Sequence, residues 1–262
     1  MAPSRFPGDA LGWVVRDESA PVVTDYDDAT DARVELSATT LRNWVAKTAN
    51  LLQDEFDIGP GRTVALALPV HWQTAACLLG AWACGAAVMD TAVEDGDRLA
   101  GADVVLAAQD RLAALEEEDL PDLLGLSLHP LGLGMAGYTG QARDFALEVR
   151  AQADVFTPYQ RPVADDPALV LGEAHLTHGT LGGAASEMAE RLGIEPGDRI
   201  LVDPGTAAEA GPVAWLLAPL AAGASVVLCR NADADRLARR AATEQVTATL
   251  GYRLEGIRRL GG

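Results

Sequence analysis

Lysine is nearly absent from this chain: Lys47 is the only one, and arginine carries almost all of the positive charge. Twenty basic residues face 38 acidic ones, for a formal net charge of −18 over 262 residues. Such a chain offers no basic surface to a phosphate backbone, so nucleic acid is not an expected partner, and anionic lipid surfaces are equally unfavourable. Cysteine is scarce. Cys77, Cys84 and Cys229 are odd in number and show no CxxC spacing, which excludes a disulfide framework and fits a reducing cytoplasm. Long uninterrupted apolar runs are missing too. Trp72 to Met89 and Gly211 to Cys229 lack charge, but Gly85 breaks the first, and Pro212, Pro219 and Gly223 break the second. A membrane-spanning helix needs about 20 predominantly apolar residues, so buried helix-turn-strand units fit both stretches better. The opening MAPSRFPGDALGWVVRDESA has no long apolar segment after its basic residue, so no secretory signal is expected.

What is present is alternation. With 49% apolar residues the chain can bury one large core or two modest ones. Helix-period and strand-like stretches follow one another, which predicts an α/β fold with mainly parallel sheets flanked by helices. Between Thr39 and Phe56 the residues Leu41, Trp44, Val45, Leu51, Leu52 and Phe56 recur at helical spacing. IGPGRTVALALP (58–69) then reads as turn, strand and stop, and HWQTAACLLGAWACGAAVM (71–89) as buried helix, glycine turn and strand.

The same order returns further on. MAERLGIEPGDRILVDP (188–204) gives helix, Pro-Gly turn and strand, and WLLAPLAAGASVVL (215–228) gives helix, glycine and strand. Gly85 falls opposite Gly223, and Pro60 opposite Pro196. Each half is therefore a helix-strand-helix-strand unit able to set parallel strands through crossover helices. VFTPYQRPVADDP (155–167) separates the halves, and its prolines oppose a sustained helix. The expected subdomains are 1–160 and 161–262. Before the boundary, DVVLAA (103–108) is a strand candidate and RDFALEVRAQ (143–152) a helix candidate, while EEED (116–119) reads as a solvated helix end.

The stretch PVVTDYDDATDARVELSATTLRNWVAKTANLL, with GPGRTVALALP and GAWACGAAVM, resembles the opening of an AMP-forming acyl-CoA synthetase or related adenylating enzyme. The later run DPALVL, LTHGTL, IEPGDRILVDP and EQVTATLGYRL resembles the stretch around and after that family's phosphate-binding loop. More narrowly, the chain resembles a group of short actinobacterial proteins related to these enzymes. The resemblance runs from Pro21 onward and implies two similar subdomains of acyl-CoA-synthetase N-terminal architecture, the second truncated relative to the family. It also implies a Ser/Thr/Gly-rich loop ending in Pro-Lys-Gly, whose backbone N–H groups and lysine grip ATP phosphates.

That loop is where the chain departs. Between the strand Ala168 to Leu171 and the helix start Thr177-His178 stand only Gly172, Glu173 and Ala174, with no hydroxyl cluster, no lysine and one added carboxylate. Glu173 would repel a triphosphate, and Thr177 is a credible N-cap. Pro204 is followed by Gly205-Thr206-Ala207-Ala208 where the family has an aromatic-His pair. GYRLEGIRRLGG precedes the region of the family's adenine-, ribose- and magnesium-binding motifs and its lid.

Other motifs are weaker. GLGMAG (132–137) matches a dinucleotide fingerprint, but His129-Pro130 intervenes after the preceding strand candidate and the next helix begins late, so a flexible loop is expected. His175 and His178 form HxxH across a strand-to-helix turn with no third ligand evident, so no metal site is assigned. GLSLH (125–129) lacks the final glycine of a nucleophile elbow, and Ser127 reads as a strand residue. His71 follows Pro69 at the end of a strand, either lining a pocket there or lying on the surface at a helix end.

The expectation is thus a cytoplasmic, non-catalytic relative of the adenylating enzymes, with no catalytic residue assigned and no cofactor. His71, Gly172, Glu173, Thr177 and His178 are its candidate pocket residues, for a small acyl or nucleotide-like ligand held between the halves. A homodimerising or protein-binding module is the alternative, and an adenylating subunit completed by a partner is the third reading.

Overall fold

The computed structural model describes residues 5–13, 17–89, 99–118, 120 and 122–261. A 3-10 turn (Pro7–Gly12) precedes β1 (Pro21–Asp27), β2 (Ala32–Ser37), α1 (Ala38–Phe56), β3 (Thr63–Ala67), α2 (Trp72–Cys84), β4 (Ala87–Met89) and β5 (Val104–Ala108). Next come α3 (Leu112–Leu115), β6 (Asp122–Leu126), β7 (Arg143–Asp144) and α4 (Phe145–Val149). The remainder is β8 (Pro167–Leu171), β9 (Ala174–Thr177), α5 (His178–Leu192), β10 (Arg199–Val202), α6 (Pro204–Pro212), a π-helical turn (Val213–Leu217), α7 (Ala218–Ala222), β11 (Ser225–Arg230), α8 (Ala234–Thr243), β12 (Ala248–Leu250) and β13 (Arg258–Arg259).

These strands make two mostly parallel sheets, ordered β7-β6-β5-β3-β4-β8-β9 and β13-β12-β10-β11-β1-β2. The α/β expectation stands, and so does the repeat. Gly61 and Gly197, in the turns before β3 and β10, have φ of 85° and 84°, and Gly85 and Gly223 end their helices at 85° and 74°. Glycine is the residue that enters this left-handed region without a Cβ penalty. Thr63 pairs with Ala87 and Arg199 with Ser225 at the start of each parallel ladder.

The units are not the linear halves 1–160 and 161–262. One comprises Met1–Asp9 with Arg42–Leu181, the other Ala10–Leu41 with Gly182–Gly262. The reason is topological. Hairpin β1-β2 pairs in parallel with β11, in the second unit's sheet, and its helix then carries the chain into the first unit. Hairpin β8-β9 pairs in parallel with β4, in the first unit's sheet, and α5 carries the chain into the second. Each copy of the repeat lends its opening hairpin to the other copy's sheet.

The hairpins match in detail. Pro21 pairs with Ser37 and Pro167 with Thr177, each ladder shifting register immediately afterwards. Ser37 Oγ accepts the Thr40 N–H at 3.2 Å, and Thr177 Oγ1 accepts the Thr180 N–H at 3.3 Å. Ala38 and His178, the first helical residues, are therefore equivalent, and both are completely buried. β1 shares five register pairs with β11, and Tyr26 adds a 2.5 Å hydrogen bond to the buried Glu244, whose carboxylate also accepts from Arg33 at 3.0 Å. Among the described residues β8 pairs with β4 at Val88–Leu169 and Met89–Val170, and Trp82 Nε1 donates to the Ala168 carbonyl at 2.7 Å.

In the first unit the core gathers Ala65, Ala67, Val105 and Ala107 from the sheet with Leu99, Leu112 and Leu115. Helix α2 is buried almost throughout, which explains its lack of charge. Its Gly80 lies against α1, where a Cβ would come within 2.8 Å of Thr48 Cγ2. RDFALEVRAQ forms a helix only over 145–149, started by Asp144, whose carboxylate accepts the Ala146 N–H at 2.9 Å. In EEED, Glu116 ends α3 and accepts N–H groups of Gln141 and Ala142 at 2.6 and 2.9 Å; Asp119 lies outside the described residues. Among the described residues no helix is long and apolar enough to cross a membrane.

Candidate functional site

The segment from β8 into α5 is where the resemblance implies a phosphate-gripping loop. Leu171 pairs with Ala174, so Gly172 and Glu173 form a two-residue turn. Gly172 has φ of 64° while Glu173 stays on the ordinary side, the signature of a II′ hairpin turn with glycine first. A chain that turns in two residues has no backbone to wrap around an anion.

The start of α5 is closed as well. A helix leaves its first N–H groups without intrahelical partners, and these are the groups that bind anions. Here each has a partner within the protein. The Thr177 N–H donates to Thr180 Oγ1 at 2.8 Å, His178 to the Asp166 carbonyl at 2.9 Å, Gly179 to the Ala164 carbonyl at 2.8 Å, and Thr180 back to Thr177 Oγ1. Thr177 and Thr180 thus cap the helix reciprocally.

The two histidines of HxxH part company. His175 is exposed on β9, while His178 is buried with its ring centroid 6.0 Å from that of Phe6. Among the described residues no group of three or more metal-ligating side chains occurs. Neither ring nitrogen of His178 has a hydrogen-bond partner, and burial pushes the imidazole below its ordinary range. Glu173 and His175 border a cavity of about 210 Å³ with Arg62, Thr63, Ala87 and Pro167. Ligand pockets usually exceed about 300 Å³, so this one is small for a nucleotide.

His71 is neither exposed nor at a surface helix end. It is completely buried and caps α2, its Nδ1 accepting the Gln73 N–H at 3.1 Å. It stands apart from the 172–178 segment in sequence and role, as the local start of the helix after β3.

Open parallel sheets bind ligands outside the carboxyl ends of strands, where neighbouring connections diverge. In the first unit that place is at β3 and β5, since β3 leads to β4 on one side and β5 to β6 on the other. The loop 132–137 is tied to that end at Gln109, which directly follows β5. GLGMAG forms a loop, not a cofactor motif. Gln109 Nε2 donates to the Ala136 carbonyl at 3.1 Å, and a Cβ at Gly132 would lie 2.8 Å from Trp44, which packs edge-on against Trp72. Ser127 lies just past the end of β6 and donates to the Leu133 carbonyl at 2.5 Å, so it serves this loop. In the second unit the corresponding ends are those of β10 and β12. Asp203 caps α6 by accepting the Thr206 N–H at 2.9 Å, and a Cβ at Gly251 would stand 2.5 Å from Thr206 Oγ1. Gly205-Thr206 are thus spent on a helix start.

Cysteine offers no nucleophile. All three thiols are buried, and burial pushes Cys84 up to about 12 and Cys229 up to about 11, so neither is a thiolate at neutral pH.

The fold defined by these sheets is that of the acyl-CoA synthetase N-terminal region. The acyl-CoA synthetase of Brucella canis superposes with a TM-score of 0.75 at 20% identity, over 95% of this chain and 48% of that protein. The N-terminal domain of FACL13 from Mycobacterium tuberculosis gives 0.72 at 18%, over 94% and 62%. The chain therefore spans about half the length of that full synthetase, and at these identities the likeness concerns the fold alone. No family model matches the sequence. A TIGR03089 family protein of Mycobacterium tuberculosis is 42% identical over 258 residues, covering 95% of this chain and 99% of that one, and the chain belongs to the TIGR03089 family.

Proposed function

We propose that this protein is a non-adenylating member of the acyl-CoA-synthetase fold, acting by binding and not by forming acyl-adenylates. The observation that carries the reading is the closed 172–180 segment: a two-residue turn followed by a helix start whose N–H groups all donate within the protein. Neither the turn nor the helix end retains the donors that hold a triphosphate. Glu173 adds negative charge at the same place. Substrate-dependent ATP–pyrophosphate exchange tests it: the purified chain should give no exchange above blank with a panel of short, long and aromatic acids, and turnover by the chain alone contradicts the reading.

A protein-docking role is favoured by one further feature. Leu131, Leu133 and Leu147 in the first unit are exposed at 66%, 42% and 68%, and Arg150 Nη2 ties the loop bearing the first two by donating to the Gly132 carbonyl at 2.9 Å. Exposed leucines on an ordered loop are the kind of surface that a partner or a second copy covers.

A further inference from the structure

His178 is a buried titratable group with no role in the proposed function. Its ring is completely buried, and neither nitrogen has a hydrogen-bond partner among the described residues. A buried polar group is ordinarily satisfied, and one that is not marks a site under tension. The repeat shows that the fold does not need it. At the equivalent position of α1 stands Ala38, equally buried behind the same Ser/Thr cap.

The surroundings of the ring offer little to a positive charge. Residues 5–9 present the Phe6 ring, the end of α2 presents the Gly85 backbone, and residues 164–166 present the Asp166 carboxylate; the last two favour the protonated ring, and burial outweighs both. That carboxylate is the only ionised group acting on the ring among the described residues, and its Oδ2 is already engaged by the Val163 N–H at 2.8 Å. The ring also sits at the first position of a 15-residue helix, whose positive dipole end disfavours an imidazolium.

Strand β8 meets β4 at Leu169 and Val170 among the described residues, and Trp82 Nε1 donates to its Ala168 carbonyl at 2.7 Å. His178 and hairpin are joined directly, since His178 follows β9 and its N–H holds the Asp166 carbonyl at the entry to β8. We propose that His178 makes the β8-β9 hairpin an acid-sensitive latch: the neutral ring packs beneath the closed hairpin, and its protonation releases the hairpin together with the Phe6 segment.

The sign follows from linkage. A buried histidine with a depressed folded-state pKa takes up its proton more readily in the open form. The closed form is therefore fully favoured above the ordinary histidine value of 6.5 and loses ground as pH falls below it. While only the open form titrates, the opening equilibrium rises by up to about tenfold per pH unit.

Hydrogen exchange on the whole chain at pH 7 and pH 5, corrected for intrinsic rates, reads this directly. Peptides covering 167–177 should open up to about 25-fold more at pH 5, while peptides covering 21–37 stay protected. In His178→Ala, which copies Ala38, and in His178→Gln the difference between the two pH values should vanish. Overturning results are a wild-type hairpin indifferent to pH, equal acceleration in 21–37, or a variant that keeps the full response. If neither variant folds, the NMR titration of the His178 ring in the wild type decides: a midpoint at or above 6.5 contradicts the latch.

Discussion

Thr177 and His178 are neighbours at the start of α5 with opposite standing. Thr177 is satisfied: its hydroxyl and that of Thr180 cap the helix in both directions. Thr177→Ala should cost about 1 kcal/mol of stability, read as a lowered midpoint in urea, because one orphan N–H loses its acceptor. Thr177 was legible in the sequence, since a hydroxyl residue before a helix-period run has a mechanism behind it. His178 was not, because burial of a single side chain depends on what the distant Phe6 and Gly85 bring against it. The surface alternative for His71 fails for the same kind of reason. Its place after Pro69 suggested a helix start, as found, but nothing local reveals that this helix is buried on nearly every side.

At the scale of elements, glycine and proline carried most of what could be read. The pairs Pro60/Pro196 and Gly85/Gly223 gave the repeat, and the structure adds matching left-handed glycines at 61 and 197. The domain boundary escaped because it rests on strand pairing. Nothing in VFTPYQRPVADDP tells that β8 will pair with β4 or that β1 will pair with β11. Helix packing supplies a test at this scale. Gly80→Ala should destabilise by about 1–3 kcal/mol in thermal or chemical unfolding, since the new methyl would overlap Thr48 of α1. Gly183→Ala, with open space around it, should be neutral or mildly stabilising, and equal losses for the two would contradict the close α1–α2 contact.

At the scale of the molecule, two reciprocal repeats build the sheets of the acyl-CoA synthetase N-terminal fold, and the 172–180 segment on which the proposed function rests is a closed hairpin and helix start. The repeat was visible in the sequence through periodicity, and the resemblance to the adenylating enzymes made the brevity of GEA stand out. What the structure supplies is the state of the helix start, where every N–H donor is already taken within the protein. The most direct measurement is isothermal titration of the chain with Mg-ATP, beside AMP, CoA and an acyl-adenylate analogue. The account predicts no heat of ATP binding up to millimolar ligand, whatever the other three do; saturable micromolar ATP binding, lost on extending the 172–173 turn, would contradict it.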